Sequence, residues 1–324
     1  MLPIKIQNQK KFEKIGNELV DILHGYINEI SISGYYTTKK KVDTPDGKRL
    51  QSTQIPVDPD TKRFFEQINN KSIIKRLIFI PPHDLQYIIC WVNVKLMNDN
   101  VLKDISSLFV DIVYSKRLKK QELIDSIGLK TCPYCNRSYI YTIKDGRIDP
   151  QLDHFYPKAK YPLFAVSLYN LIPSCAICNS AGAKGDKDTL YDLKYRIISP
   201  YLIKHDDFQF NYKLLSPEII KGEYNGESIE IFFDHSCNEN DNMFHLSSLY
   251  KKHDDHIEDM LYKRKYVYTD EHLASLFNII GHKVDKSITN RFIVGAYVEK
   301  ENYHKRPLSK LYTEIAKRIG LIKK

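Results

Sequence analysis

Cys132-Pro133-Tyr134-Cys135-Asn136 and Ser174-Cys175-Ala176-Ile177-Cys178-Asn179 are the two stretches that decide how the middle of this chain folds, and Asp153-His154 lies between them. One Cys-x-x-Cys pair is weak information, because it serves equally as a redox motif, half a zinc site or a coincidence. Two pairs are strong: tetrahedral zinc takes four soft ligands, and a two-residue spacer lets both thiolates of a pair face one ion from a tight turn. The thirty-nine residues between the pairs exceed the interval of a simple zinc ribbon, so something is inserted between the two knuckles. Two disulfides are the weaker reading, since Met1-Leu2-Pro3-Ile4 carries no secretory signal and the other cysteines, Cys90 and Cys237, stand singly. The expectation is a structural Zn²⁺ held by Cys132, Cys135, Cys175 and Cys178, with Cys90 a small core residue.

Within the insert, Ile148 to Phe155 reads as a short strand ending on Asp153-His154 and stopped by Pro157. A polar and aromatic loop follows from Tyr156 to Tyr169, then a second short strand through Asn170-Leu171-Ile172-Pro173. The segment from Ala176 to about Ala183 forms either a short helix or an irregular turn, ending near Gly182 and Gly185. Such an order places Asp153-His154 on one element and Asn179 on another, able to converge on one hard cation.

The runs Cys-Pro-Tyr-Cys-Asn (132–136), Leu-Asp-His-Phe-Tyr-Pro-Lys (152–158), Tyr-Asn-Leu-Ile-Pro-Ser-Cys (169–175) and Cys-Asn-Ser-Ala-Gly-Ala-Lys-Gly-Asp (178–186) resemble the zinc-knuckle type of HNH endonuclease. The likeness covers roughly residues 129–190. A second stretch, Asn302-Tyr303-His304-Lys305-Arg306-Pro307-Leu308-Ser309-Lys310, is similar to sequences in bacterial HNH proteins of phage-defence type, including the nuclease partner of Septu-like systems.

The resemblance implies a ββα-metal fold and a set of roles. His154 would be the general base acting on the attacking water, suited to it by a pKa near operating pH. Asp153 and Asn179 would coordinate one divalent cation, Mg²⁺ or Mn²⁺. Asn170 would fix the loop that holds the histidine, and Lys184 would contact phosphate as a point charge. In many such sites a further histidine stands four residues beyond the last motif residue; here that position is Ala183, which leaves the cation two protein ligands. Each residue also has a bland reading: Asp-His pairs occur by chance, buried histidines satisfy carbonyls, and an Asn after a knuckle cysteine caps a turn. Their joint occurrence, in order and inside a zinc frame, favours a phosphodiesterase site.

Composition agrees with a polyanionic partner: 49 Lys+Arg against 40 Asp+Glu give a formal charge of +9. From Tyr303 to Lys324 there are seven basic residues and one acidic residue. Lys305, Arg306, Lys310, Lys317 and Arg318 are therefore expected to form a face that tracks a nucleic-acid backbone. Lys39-Lys40-Lys41 and Lys48-Arg49 flank the turn Thr44-Pro45-Asp46-Gly47 as a basic hairpin or a flexible loop. For any single patch, an ordinary solvated surface is the commoner explanation. His253 and His256, at i and i+3 among acidic neighbours, read as a solvated helix face rather than a metal site.

The fold expected is mainly α with a small α+β insert, in three regions: a helical 1–128, the HNH-like module 129–198 and a mostly helical 199–324, with Ser199-Pro200 at the second joint. Phe12, Ile15, Leu19, Ile22 and Ile27 predict a helix over about 10–32, and Thr61–Asn69 repeats the pattern more briefly. Residues 72–130 predict three or four more helices, jointed at Pro81-Pro82 and closed by Gly128. Alternation at Phe208, Phe210, Tyr212 and at Ile229, Ile231, Phe233 predicts a small hairpin, turning at 223–226. Helices resume at about 246–264, 270–300 and 307–320. The apolar stretch Leu85–Met97 is too short and polar to span a bilayer, and there is no Walker-type glycine loop. The expected protein is cytoplasmic, with no membrane contact, acting on DNA with RNA open, in company with an ATPase partner that would supply any nucleotide control. The competing class is a catalytically silent, zinc-bridged module that binds nucleic acid or docks a partner.

Overall fold

The computed structural model describes residues 1–44, 47–95, 98–143, 150–217, 229–234, 238–280 and 285–323. These build a mainly helical protein with small antiparallel sheets. Its centre is α1 (Gln9–Ser33), whose buried Phe12, Ile15, Leu19, Leu23, Ile27 and Ile30 recur at helical spacing. The Asn8 side chain accepts from Lys11 N at the start, and Gly34 closes the end in the left-handed region (φ 77). α1 packs against α2 (Pro59–Ile68), α3 (Lys71–Ile78) and α6 (Lys120–Ile127). The helices α4 (Pro82–Lys95) and α5 (Asp99–Ile105) and a π-helical run, Ser106–Arg117, complete this layer. The joint at Pro81-Pro82 and the stop at Gly128 (φ 77) fall where the sequence places them. Gly16 serves a close approach: a Cβ there would stand 2.1 Å from Phe79 Cζ, so α1 and the end of α3 meet over a bare backbone.

The basic segment after α1 is a hairpin of β1 (Tyr35–Thr44) and β2 (Gly47–Pro56), whose expected turn residues 45 and 46 lie outside the described residues. In the middle of the chain β3 (Gln151–His154) pairs antiparallel with β4 (Leu171–Ser174), setting His154 opposite Leu171 and Asp153 opposite Ile172. β3 is shorter than predicted, and residues 148 and 149 lie outside the described ones. After β4 the chain from Cys175 to Asp186 forms successive turns rather than a helix. Of the two local options, the irregular turn is the one found, so the helix of a ββα arrangement is absent there. Its backbone instead closes short loops, Asn179 N to Cys175 O (3.1 Å) and Lys184 N to Cys178 O (3.2 Å).

Beyond the module, β5 (Gln209–Leu214) and β6 (Ile229–Asp234) form the expected hairpin, its turn and Cys237 falling outside the described residues. A helix absent from the sequence reading, α7 (Asn238–Phe244), follows. The helical stretch expected at 246–264 is divided into α8 (Leu246–Tyr250), a 3-10 turn and α9 (Asp254–Tyr262). The single helix expected over 270–300 is α10 (Asp270–Ile280) and α11 (Lys286–Val294), because Asp285 caps a new start through Ser287 N and Gly295 ends it at φ 78. A last helix, α12 (Ser309–Arg318), packs on β5.

Buried apolar side chains from Met1 to Ile322 form one contiguous cluster, so the three expected regions share a core. Backbone bonds stitch them too: Leu2 N donates to Pro133 O and Ile4 N to Pro200 O, each at 2.8 Å, across the 199–200 joint. Cys90 is half-buried against this core. No described helix is long and apolar enough to cross a membrane. Gly16→Ala should lower stability by about 1 kcal/mol by thermal melting: displacing Phe79 costs about 1–3 kcal/mol, against about 1 kcal/mol gained in helix propensity. Adding Phe79→Leu should recover the loss.

Candidate functional site

The four knuckle sulfurs lie within 4.8 Å of one another, all on buried residues, with Cys135 Sγ and Cys175 Sγ 3.9 Å apart. All four are free thiols. Four sulfurs about 2.3 Å from one tetrahedral zinc stand roughly 3.8 Å apart, whereas a disulfide needs about 2.05 Å. The donor set therefore fits a metal such as zinc. Burial pushes the Cys132 thiol up and bonding to the other sulfurs pushes Cys178 up, while Cys135 and Cys175 are pulled down by the same sulfur bonds. A bound Zn²⁺ would take all four as thiolates and serve as a structural crosslink. The cage has outer support: Arg137 N donates to Cys135 Sγ (3.4 Å), and the Tyr250 hydroxyl donates to Cys135 O. His253 and His256 are engaged otherwise, His253 Nε2 accepting from Arg137 Nε (3.0 Å) and His256 Nδ1 bonding the Tyr312 hydroxyl (2.6 Å).

Asn136, directly after the first knuckle, is fully buried and left-handed (φ 50), a conformation Asn tolerates better than most residues. Its Nδ2 donates to Thr131 Oγ1 (2.9 Å) and Tyr303 O (3.2 Å), its Oδ1 accepts from Lys310 N (3.3 Å), and its carbonyl accepts from Leu308 N (2.7 Å). The motif-like stretch 302–310 is thus fastened to the first cysteine pair through one residue, by its side chain and its carbonyl.

The cage also reaches the Asp-His pair, one arm from each knuckle. From the first, the Tyr134 hydroxyl donates to Asp153 Oδ2 at 2.6 Å. From the second, Lys184 Nζ lies 3.0 Å from Asp153 Oδ1 and 2.6 Å from His154 O, fully buried. Burial pushes the Asp153 carboxyl above the usual carboxylate range, and Lys184 and Tyr134 oppose that push. The expectation that Lys184 contacts phosphate is corrected here: with no exposed atom, its ammonium is the counter-charge of Asp153.

His154 is buried, and its Nε2 is 3.0 Å from the Ala165 carbonyl. A carbonyl only accepts, so Nε2 carries the proton and the neutral ring keeps its lone pair on Nδ1. Burial, with Lys158 next, lowers the His154 pKa to about 3, away from the near-neutral value expected of a base. Asn170 is fully buried and clasps its own loop: Oδ1 accepts from Tyr156 N (2.8 Å), and Nδ2 donates to Tyr156 O and Phe164 O (both 3.1 Å). That clasp folds the loop so that Ala165, just after Phe164, presents its carbonyl to His154. Asn179 stands apart from this cluster of bonds, half-buried, with Nδ2 donating to Gln151 Oε1 at 2.7 Å. Ala183 is buried.

Both oxygens of Asp153 are therefore engaged by the protein, one of them by a cation. As folded, Asp153 and Asn179 do not fit a divalent ion, because Lys184 already supplies the positive charge beside Asp153. Three residues with no role in the sequence reading adjoin the histidine instead. The Tyr114 ring lies 4.5 Å from the His154 ring, edge on. Lys120 Nζ and Lys158 Nζ stand over that same Tyr114 ring at 4.1 and 4.8 Å. Neither ammonium pairs with a carboxylate among the described residues, and burial, then Lys158, lowers the Lys120 pKa. Lys158 was visible in the 152–158 run; Lys120 and Tyr114 come from elements without a motif. Of the basic C-terminal set, Lys310 is withdrawn: it is fully buried, bonded to His205 O (2.6 Å) and Glu314. Arg318 Nε donates to Phe210 O at 2.9 Å.

No family model matches the chain, and no solved structure matches it. Protein ea31 of Escherichia phage lambda is 37% identical over 83 residues, which cover 26% of this chain and 24% of that protein. The matched stretch is about a quarter of either protein's length.

Purified protein should carry one zinc per chain by elemental analysis, and Cys132→Ser or Cys175→Ser should unfold the central region, since binding and folding are coupled in such sites. Well-folded protein free of metal would sink the cage. Lys184→Met should destabilise by about 3–5 kcal/mol, because it strands a buried carboxylate. The double variant with Asp153→Asn should regain most of that in denaturant titrations; equal losses would reject the pairing.

Proposed function

We propose that this chain is an HNH-type phosphodiesterase acting on nucleic acid, DNA first and RNA as the second substrate, with His154 as its general base. The observation that carries the reading is a neutral His154, anchored through Nε2 to the Ala165 carbonyl, with two uncompensated ammonium groups, Lys120 and Lys158, beside it across Tyr114. A phosphodiester anion is attracted to such a pair; burial is the main cause of the depressed His154 pKa, and the anion's charge offsets the smaller part that the lysines add, raising the proton affinity of Nδ1. Nδ1 then takes a proton from a water aimed at phosphorus, while the Ala165 carbonyl holds the ring in one orientation and favours the imidazolium that forms. Hydrolysis leaves a 5′-phosphate and a 3′-hydroxyl.

The Mg²⁺ or Mn²⁺ implied by the resemblance remains part of the proposal only if Lys184 withdraws from Asp153, and no step here is routed through it. That same ion pair favours the second reading, a zinc-bridged module that binds nucleic acid or a partner without cutting. An ATPase partner and a role in phage defence rest on the resemblance of 302–310 alone.

Zinc-loaded protein should nick plasmid DNA or cut single-stranded DNA or RNA, assayed both with and without added Mg²⁺ or Mn²⁺. His154→Ala should slow single-turnover cleavage on the order of a hundredfold, the scale of a lost base. Equal rates in the variant would remove His154 from the chemistry, and binding without cleavage by the wild type would favour the silent module. A base must be unprotonated, and a folded pKa of about 3 keeps His154 so at every ordinary pH. The cleavage kcat/KM should therefore hold steady from about pH 8 to about pH 5, where a base of pKa about 6.5 would lose most of its rate.

A further inference from the structure

Three cations meet on one tyrosine ring far along the chain from the Asp-His pair. Arg291 Cζ stands 5.1 Å, Lys305 Nζ 5.6 Å and Arg306 Cζ 5.7 Å from the ring centroid of Tyr297. None of the three pairs with a carboxylate among the described residues, although surface cations in this protein commonly do, as Lys300 does with Asp206 and Arg264 with Asp270. Arg306 also donates to Gly295 O (2.5 Å), which ties the 300–306 segment to the end of α11. Arg291, Phe292, Gly295, Arg306 and Ile288 line a hollow of about 330 Å³. Phe292 on its rim is 78% exposed and Ile288 47% exposed.

We infer that this patch is a binding platform for an unpaired strand of nucleic acid, its phosphates held by Arg291, Lys305 and Arg306 and a base stacked on Phe292. Three ammonium and guanidinium groups held together without counter-charge repel one another, and an anion with closely spaced charges relieves that repulsion. A large aromatic face left in water beside them adds a stacking surface, which every base can use. A paired duplex would present its phosphates but hide its bases, leaving Phe292 idle. The platform is also rigidly placed. Tyr303 O is fastened to Asn136 at the first zinc knuckle, and Leu308 N and Lys310 N are held by the same residue, so the Lys305–Arg306 side of the patch hangs from the metal cage. The stretch 302–310 thereby gains a physical purpose that its basic composition alone left diffuse. The inference concerns binding, so it stands or falls independently of catalysis at His154.

The test is anisotropy of a labelled oligothymidylate with the full zinc-loaded chain, without added Mg²⁺ or Mn²⁺, over a salt series. The triple variant Arg291→Gln, Lys305→Gln, Arg306→Gln should bind on the order of tenfold or more weakly, with its log–log salt slope reduced by about two units, at about 0.7 per lost single-strand contact. Arg291→Lys with Arg306→Lys should restore the slope. Phe292→Ala should weaken binding on the order of tenfold with the slope unchanged, since it removes stacking and no charge. All these side chains are at least partly exposed, so thermal midpoints should stay near wild type. Wild-type affinity and slope in the triple variant would overturn the platform. So would unchanged binding in Phe292→Ala, or displacement of the strand by polyglutamate as readily as by unlabelled oligothymidylate, which would mark a surface for an acidic protein.

Discussion

Everything distinctive in the middle of this protein depends on four buried sulfurs drawn to one point. Each knuckle extends one side chain from that point toward Asp153: Tyr134 takes one carboxylate oxygen and Lys184 the other. A buried carboxylate is costly to desolvate, and it is tolerated here because both its oxygens are matched by donors of fixed position. The position of His154, the next residue, is then set from three sides: β4 opposite, Lys184 on its carbonyl and Ala165 on its ring. The sulfur cage thus fixes the chain on both sides of the residues that hold Asp153.

That same matching creates a tension in the site. An Asp-His pair beside a four-cysteine cage invites a hard cation, yet the place beside Asp153 is filled by an ammonium group that is itself fully buried. Lysine and a divalent ion make opposite demands: the lysine stabilises the fold by neutralising Asp153, while the ion would need that carboxylate unshared. The free positive charge has moved to Lys120 and Lys158, where it faces His154 across Tyr114. The lysine that neutralises Asp153 and the two that stand over the Tyr114 ring are therefore different residues.

The spacing of the cysteines was enough to foresee the cage, because a two-residue spacer has few other uses when it occurs twice. Helix α1 is equally plain, since Phe12, Ile15, Leu19 and Ile27 mark one buried stripe; the cap at Gly34 comes from the structure. The turn structure after β4 was left open, because Ala176 to Ala183 suits helix and turn alike until the sulfurs impose their geometry. The helix α7 has no clear local signal because Asn238, Asn240, Asp241 and Asn242 are poor helix formers; the burial of Asn240, Met243 and Phe244 carries it. Lys184 and Lys310 misled most. The resemblance alone gave Lys184 to phosphate and a basic run gave Lys310 to a solvated face; the long-range contacts of Lys184 with Asp153 and of Lys310 with the His205 carbonyl turn each inward. No local pattern announces Lys120 and Tyr114 as neighbours of His154, since their helices precede the first knuckle.

The placement of Asn136 has a consequence for how the molecule assembles. Its partners Tyr303 and Arg306 lie 167 and 170 residues further along the chain, and the residues beside it, at Pro133, also receive Leu2. Contacts of such separation carry a large loop-closure entropy and form late. During synthesis, at roughly 5–20 residues per second, the first knuckle therefore emerges with part of its surroundings still unmade for about ten seconds or more. The metal-binding pairs are complete by residue 178, but the groups that bury Asn136 arrive only with residues 303–310. The four cysteines can thus be gathered before the partners of Asn136 exist, and the surroundings of the first pair are complete only once residues 303–310 are in place.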